Sequence, residues 1–359
     1  MSTVLVTGAF GQIGALCTEL LLARGHTVIA LELRTDATET AAAGLAGALV
    51  PSWTDLLDRE AVQAVVAEHR PDAIVHLAAV YAPISYRAPA HARKVNVEGT
   101  TNLVEAARAL ETPPLLLFAS SAAVYGSRNP YRYPEPITTG TPVAPIDRYG
   151  ADKVLGEAVV TGSGLPHAVL RLAGVISPVG AGRLNGDYLS LMRAIPTDNR
   201  IHAVDARDAA LAFATAVERG PAVAGKVLLI AGNDSYRLRS QELSDDIAAA
   251  TGLGRLGERA GLPGDPADDR GWSFTGWFDT TESQALLEFQ AHDWPDTVAW
   301  VAGANGQLPR VVGPALRPVI LFFLAAQRRL ERRGRYADPW TFLTRRYGPE
   351  ILADEAPLQ

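Results

Sequence analysis

The chain has 359 residues, 48% hydrophobic and 20% charged, which is globular composition and enough for one large or two modest domains. A net charge of −6 and a pI near 5.7 argue against nucleic acid as the main partner. The one cysteine, Cys17, can build neither an internal disulfide nor a cysteine-based metal site, and a reducing cytoplasm fits.

Val4-Leu5-Val6 reads as a buried strand, and it begins so close to Met1 that no signal peptide is expected. Thr7-Gly8-Ala9-Phe10-Gly11-Gln12-Ile13-Gly14 follows, and then Ala15 to Leu22 with helical spacing. A strand that ends in a glycine-rich turn and opens a helix suits a dinucleotide pyrophosphate. Gly8 can take the tight turn, Gly11 can let the backbone approach the phosphates, and Gly14 can let helix and strand pack closely. The free N–H groups at the positive end of the helix would then hold the anion, so Gly8, Phe10, Gly11, Gln12, Ile13 and Gly14 are candidate cofactor-binding residues.

Gly25 reads as a helix stop, and Thr27 to Leu31 as a second strand ending at Glu32. An acid about twenty positions after the glycine loop can bind the adenosine ribose hydroxyls and repels a 2′-phosphate. NAD is therefore expected rather than NADP, with Arg34 softening the preference; a solvated strand-end charge is the bland alternative for Glu32. Thr35 to Leu49 fits a weak helix or a loop. After a short strand near Ala48 to Val50, Asp58 can cap a helix from Arg59 to His69, and Asp55 can point at adenine or cap. Ala73 to Ala79 is another buried strand, and its small terminal residues Ala78 and Ala79 allow a ligand close by; His76 within it reads as structural. Asn96 to Thr100 lies on a helix running to about Leu110, where Asn and Gly are unfavourable by propensity and suggest a packing or polar role. Leu115 to Ala119 is a fifth buried strand that ends at Ser120-Ser121. Strands alternating with helices imply a parallel sheet with right-handed crossovers.

Tyr149-Gly150-Ala151-Asp152-Lys153 puts a phenol and an ammonium four residues apart, on one face of a helix. A neighbouring positive charge favours phenolate, so Tyr149 is expected to have a lowered pKa and to serve as general acid or base. Lysine is scarce here, with only Lys94, Lys153 and Lys226, so a chance pairing is improbable; a solvated helix pair is the alternative.

With these pieces in order, the chain resembles the extended short-chain dehydrogenase/reductase family, of the NAD-dependent epimerase/dehydratase type. The resemblance is carried by Thr7-Gly8-x-x-Gly11-x-x-Gly14, Glu32, Asp55-Leu56, His76-Leu77-Ala78-Ala79, Asn96-Val97-x-Gly99-Thr100, Ser120-Ser121-Ala122-Ala123-Val124-Tyr125-Gly126, Tyr149-x-x-x-Lys153 and Val204-Asp205-Ala206-Arg207-Asp208, over residues 1 to about 300. It implies that Asp55, Leu56, Leu77, Ala78, Ala79 and Asn96 join the cofactor site. It also implies that Tyr149 moves the proton, Lys153 bonds the nicotinamide ribose, and Ser121 hydrogen-bonds the reacting oxygen while hydride passes to or from the nicotinamide. Ser120 is expected to point the other way, because residues at a strand end alternate.

The resemblance implies an α/β Rossmann-type fold, a doubly wound parallel sheet with a smaller C-terminal substrate-binding domain. Residues 1–172 and about 200–232 would bind NAD, about 173–199 and 233–303 the substrate, and 304–359 would form a basic helical extension. Two departures narrow the function. Ala122-Ala123 stand where the dehydratase branch carries an Asp-Glu pair, and Leu172 to Pro178 lacks the asparagine common after the sixth-strand arginine in sugar enzymes. The leading expectation is an NAD-dependent oxidoreductase acting on a secondary alcohol or ketone, a lipophilic one included. The alternative is an NAD-retaining epimerase of a nucleotide sugar or similar, and a non-catalytic dinucleotide-binding protein stands third. A homodimer is expected by the same resemblance.

The aromatic stretch Gly271 to Phe278 fits an apolar pocket or a small-domain core, and Gly261 to Arg270 an exposed loop. Between Leu308 and Gly348 nine arginines stand against two acids. Val319 to Ala326, too short to span a bilayer, is followed by Gln327 to Arg333, and together they read as a helix, apolar first and basic later. It could contact an anionic membrane surface peripherally, or pack on the acidic body or a second subunit.

Overall fold

The computed structural model describes residues 1–179, 191–257, 260–273, 276–304, 322 and 334–353. The apolar-then-basic helix expected at Val319 to Arg333 lies outside these, Phe322 apart.

Ten strands are present among the described residues: β1 (Thr3–Thr7), β2 (Thr27–Glu32), β3 (Leu49–Trp53), β4 (Ala73–His76), β5 (Leu115–Ser121), β6 (His167–Leu172), β7 (Gly174–Ile176), β8 (Arg200–Asp205), β9 (Lys226–Ile230) and β10 (Arg237–Arg239). Seven form one parallel sheet in the order β3-β2-β1-β4-β5-β6-β9. The order reverses between β1 and β4, and ligands of such sheets bind at that switch point, beyond the carboxyl ends of the strands. The remaining three form a small sheet, β10-β8-β7.

Alternation along β1 explains the layers. Val4 and Val6 face a core with Cys17 and Leu21 of α1 (Gly14–Ala23), and Leu5 faces the opposite one. The first face is closed by α1 with the helix Ala206–Glu218; the second by α3 (Arg59–His69), α5 (Gly99–Arg108) and α6 (Arg148–Thr161). The ambiguous segment after β2 is a helix, α2 (Asp36–Ala43), started by a capping box in which Thr35 and Thr38 bond each other's backbone N–H. Between α4 (Pro89–Arg93) and α5 lies a π turn, Lys94–Glu98. The unfavourable Asn96 sits in it, donating to Val80 O at 2.9 Å and accepting from Val80 N at 2.8 Å. The loss of helix propensity is thus offset by pinning the chain just beyond β4.

Of the aromatic stretch, Trp272 and Phe278 are core residues, 0% and 1% exposed. Tyr125 packs edge-on against Phe278 at 5.9 Å, and a parallel bridge joins Ile137 to Phe278.

One buried ion pair fixes α6 against the sheet. Arg171 on β6 donates from Nε and Nη2 to the two carboxylate oxygens of Glu157 on α6, at 2.9 and 2.6 Å. Its third arm reaches the Tyr125 hydroxyl at 2.8 Å, and Ser120 Oγ donates to Glu157. Removing one partner would leave the other buried without compensation. Arg171→Met should therefore lower the unfolding free energy by about 3 kcal/mol or more in a denaturant titration, with Glu157→Met in the same chain recovering part of the loss. A loss below about 1 kcal/mol would show that the pair does not anchor α6.

Candidate active site

The glycine loop leaves β1 with Gly8 at φ +66°, a left-handed backbone that disfavours a side chain. A Cβ on Gly8 would also sit 2.8 Å from Ala78 N, and one on Gly14 only 1.9 Å from Gly8 O. Side chains are therefore excluded at Gly8 and Gly14, and between them Gly11 N donates to Gly8 O at 3.0 Å. No side chain caps the N-terminus of α1, and no acid lies in its first turn. A positive helix end without a side-chain cap or an acid, reached through glycine backbone, fits the pyrophosphate of a dinucleotide.

Glu32 ends β2, paired in register with Trp53 at the end of β3. Its carboxylate accepts from Leu33 N at 3.0 Å and, at a longer 3.5 Å, from Phe10 N in the loop. Phe10 in turn packs on Trp53, ring centroids 6.0 Å apart. Arg34 is turned away and donates to Glu39 at 2.7 Å. Asp55 caps locally, accepting from Leu57 N at 2.9 Å, and Leu56 is buried. Leu77, Ala78 and Ala79 are half-buried beyond β4, with Leu77 N on Thr7 O and Ala78 N on Thr7 Oγ1, both at 3.2 Å. Gln12 reaches across to Val175 O at 3.3 Å, and Ile13 packs against the α1 core. His76 is structural, held between Thr7 and Thr100 at 2.7 and 2.9 Å and pushed down to about 3 by burial and by the Lys153 charge.

Ser121, Tyr149 and Lys153 gather beyond the carboxyl end of β5. Ser121 Oγ accepts from Ala123 N at 3.2 Å and lies near enough the Tyr149 phenol to favour its ionisation, while Ser120, one residue earlier, faces Glu157 as alternation requires. Lys153 is 5% exposed; its ammonium donates to Ala119 O at 2.7 Å and lies 5.0 Å over the Phe118 ring. Burial lowers it to about 8, against the pull of Glu157 and Asp152.

The expected lowering of Tyr149 is not what the structure shows. Burial holds its phenol well above the ordinary value, opposed by the Ser121 hydrogen bond and reinforced by Asp147, Tyr81 and Asp152. Helical spacing placed the ammonium on the right face, but one of its three N–H groups is given to a sheet carbonyl, and Asp147 and Asp152 act on the phenol in the opposite sense.

Several neighbours escaped the sequence reading. Glu157, four residues after Lys153, was legible as the next residue on that face. Asp147, two before Tyr149, was legible as a helix cap and accepts from Gly150 N at 2.9 Å. Arg93, donating to the buried Asp152 at 2.8 Å, gave no local signal.

The fold and this edge define a Rossmann-type dinucleotide-binding protein. The family model for the NAD dependent epimerase/dehydratase family matches residues 4–230. The chain belongs to that family, whose cofactor is NAD. It is similar to the UDP-glucose 4-epimerase of Mycolicibacterium smegmatis, 35% identical over 158 residues, 43% of this chain and 48% of that protein. It is 37% identical over 155 residues to the UDP-glucose 4-epimerase of Mycoplasma genitalium, 39% and 43% of the two chains. The chain thus spans about half the length of the curated relatives it matches. Among solved structures, the Thermus thermophilus UDP-glucose 4-epimerase in complex with NAD aligns over 84% of this chain and 98% of its own, at TM-score 0.67 and 22% identity, a likeness of fold. Among the described residues no helix is long and apolar enough to cross a membrane.

Gly14→Ala should weaken NAD binding by roughly tenfold or more in isothermal titration calorimetry while far-ultraviolet circular dichroism stays unchanged, because the loop must move off the helix start. Unchanged affinity would mean that the close turn is not needed for the cofactor.

Proposed function

We propose that the chain is an NAD-dependent epimerase that oxidises and re-reduces one secondary-alcohol carbon of a sugar carried on a nucleotide. The observation that carries this is the gathering of Ser121, Tyr149 and Lys153 at the carboxyl ends of the strands, where the glycine turn also lies. The curated relatives named above, both UDP-glucose 4-epimerases, support the nucleotide sugar. Ala122 and Ala123 occupy the positions of the dehydratase acid–base pair, which speaks against loss of water.

Bound NAD would supply the two-electron acceptor and donor and, when oxidised, a positive charge beside the site. The chain's own groups do the rest. Gly8, Phe10, Gly11, Gln12, Ile13 and Gly14 would hold the pyrophosphate, Glu32 the adenosine ribose hydroxyls, and Asp55, Leu56, Leu77, Ala78, Ala79 and Asn96 the walls between them. Lys153 would bond a ribose hydroxyl through an N–H group not given to the Ala119 carbonyl. Tyr149 would take the proton from the substrate hydroxyl in the oxidising half and return it in the reducing half, with the Ser121 hydroxyl bonded to the same oxygen. Its raised pKa stores the proton on the phenol at neutral pH, which suits the returning half.

A second reading, a dehydrogenase of a non-nucleotide alcohol, is favoured by the missing asparagine between Leu172 and Pro178. The two readings differ in cofactor handling. An epimerase should leave gel filtration with near-stoichiometric NAD, whereas a dehydrogenase should emerge empty and bind NAD reversibly; absorbance after acid release of the cofactor separates them. Tyr149→Phe should cut conversion of UDP-glucose to its C4 epimer by at least about 10²-fold, with NAD content unchanged. Retained conversion would remove Tyr149 from the proton transfer.

A further inference from the structure

Thr7 ends β1, His76 ends β4, and Thr100 stands in the first turn of α5. Thr7 and His76 are register partners on adjacent strands, so alternation sends both side chains to one face of the sheet, the face that α5 covers. There they join a continuous hydrogen-bonded chain. Ala78 N donates to Thr7 Oγ1 at 3.2 Å, and Thr7 Oγ1 lies 2.7 Å from His76 Nδ1. His76 Nε2 lies 2.9 Å from Thr100 Oγ1, which donates to Asn96 O at 2.7 Å. The Asn96 carboxamide turns back to Val80, accepting from its N and donating to its O. Ala78 and Val80, on either side of Ala79, are thus held by the two ends of one network.

The protons in this network have one consistent arrangement. A backbone N–H only donates, so Thr7 Oγ1 accepts from Ala78 and sends its own proton to His76 Nδ1, its other side-chain partner among the described residues. Nδ1 is then bare and the ring neutral. Nε2 carries the proton and gives it to Thr100, whose hydroxyl donates in turn to Asn96 O. A charged ring would set a second N–H against Thr7 and leave the threonine proton without an acceptor, which is costly in the interior. The surroundings agree. His76 packs on Phe118 with ring centroids 5.7 Å apart, and the Lys153 ammonium lies 5.0 Å from the same ring, so a second positive charge there is disfavoured.

Thr7, His76, Thr100 and Asn96 are 0, 1, 1 and 3% exposed, so they act on a ligand through what they hold. What they hold is the stretch after β4, set against the glycine turn. Leu77 N donates to Thr7 O at 3.2 Å, and Gly8 approaches so closely that a Cβ on it would lie 2.8 Å from Ala78 N. We propose that Thr7, His76, Thr100 and Asn96 are positioning residues for the dinucleotide, a buried spacer that fixes the gap between the glycine turn and residues 77–80. Hydrogen bonds that run in one direction polarise one another, so the members act together. The π turn Lys94–Glu98 supplies the last link by carrying Asn96 to Val80. The inference rests on the proposed place of NAD at the glycine turn and is independent of the epimerase reading.

Calorimetric titration of the full-length chain with NAD is the test. Thr100→Val keeps the side-chain shape and removes the hydroxyl from the middle of the network. It should weaken NAD binding by roughly tenfold, while Thr100→Ser, which restores the hydroxyl, should stay within about twofold of wild type. Thr7→Val and Thr7→Ser repeat the comparison on the other side of His76 if a Thr100 variant does not fold. Unchanged affinity in a folded valine variant, with only the melting temperature lowered, would overturn the proposal and leave the network as a support of the sheet. Gly14→Ala, titrated alongside, then separates two failures: weakened binding there means that the spacer alone has failed, and unchanged binding that the place of NAD has failed with it. A second measurement needs no variant to bind. Nitrogen-15 NMR at neutral pH on the chain labelled at its seven histidines, with His76→Gln assigning the signal, should show a neutral His76 ring protonated at Nε2. A proton on Nδ1 would overturn the directed network.

Discussion

The position of α6 relative to the sheet is the constraint on which the site depends, and it is set by a buried ion pair. Arg171 on β6 grips Glu157 with two parallel hydrogen bonds, and Ser120 on β5 completes the carboxylate's contacts. A slide of the helix would strand a charge in the interior, at a cost of about 3–5 kcal/mol. The helix therefore has one register, and in that register Tyr149 meets Ser121 while Lys153 reaches Ala119 O. Because β5 alternates, the two adjacent serines divide the work: Ser120 serves the anchor and Ser121 the open edge.

Electrostatics at that edge follow from burial more than from the pairing of Tyr149 with Lys153. Two carboxylates, Asp147 and Asp152, lie on the same helix, and burial itself favours the neutral phenol. The Lys153 ammonium is turned to the sheet and stabilised by a carbonyl and an aromatic face. Without a cofactor the chain thus stores a proton on the tyrosine and a charge on the lysine, the arrangement a carbonyl reduction starts from. In the proposed reaction an oxidised nicotinamide would act in the opposite sense, coupling cofactor state to tyrosine acidity.

The C-terminal segment lies outside the stretch shared with the family, yet it returns to the site. Helix Pro339–Tyr347 and the residues to Ala353 pack on the turn holding Tyr86, on the start of α6 and on Trp272. Ala337 N donates to Pro263 O at 2.8 Å, which ties the same segment to the loop before Trp272. Elements far apart in the chain thus pack together near the carboxyl ends of the strands.

Local patterns alone determined the parallel sheet, the glycine turn, the acid at Glu32 and the Tyr149–Lys153 face, because each is a short-range rule of period, turn chemistry or spacing. They also separated Ser121 from Ser120, and made His76 a strand residue, since alternation and a buried apolar run are visible in sequence. Tertiary structure alone decided what cannot be read within one helix or strand. It set Arg171 against Glu157, turned Arg34 to Glu39, buried Trp272 and Phe278 in a core, and folded Ile351 back beside Tyr149. It also reversed the expected direction of the Tyr149 shift. Spacing on a helix says which charges are near in sequence, whereas desolvation and the charges that count depend on which distant segments cover the group.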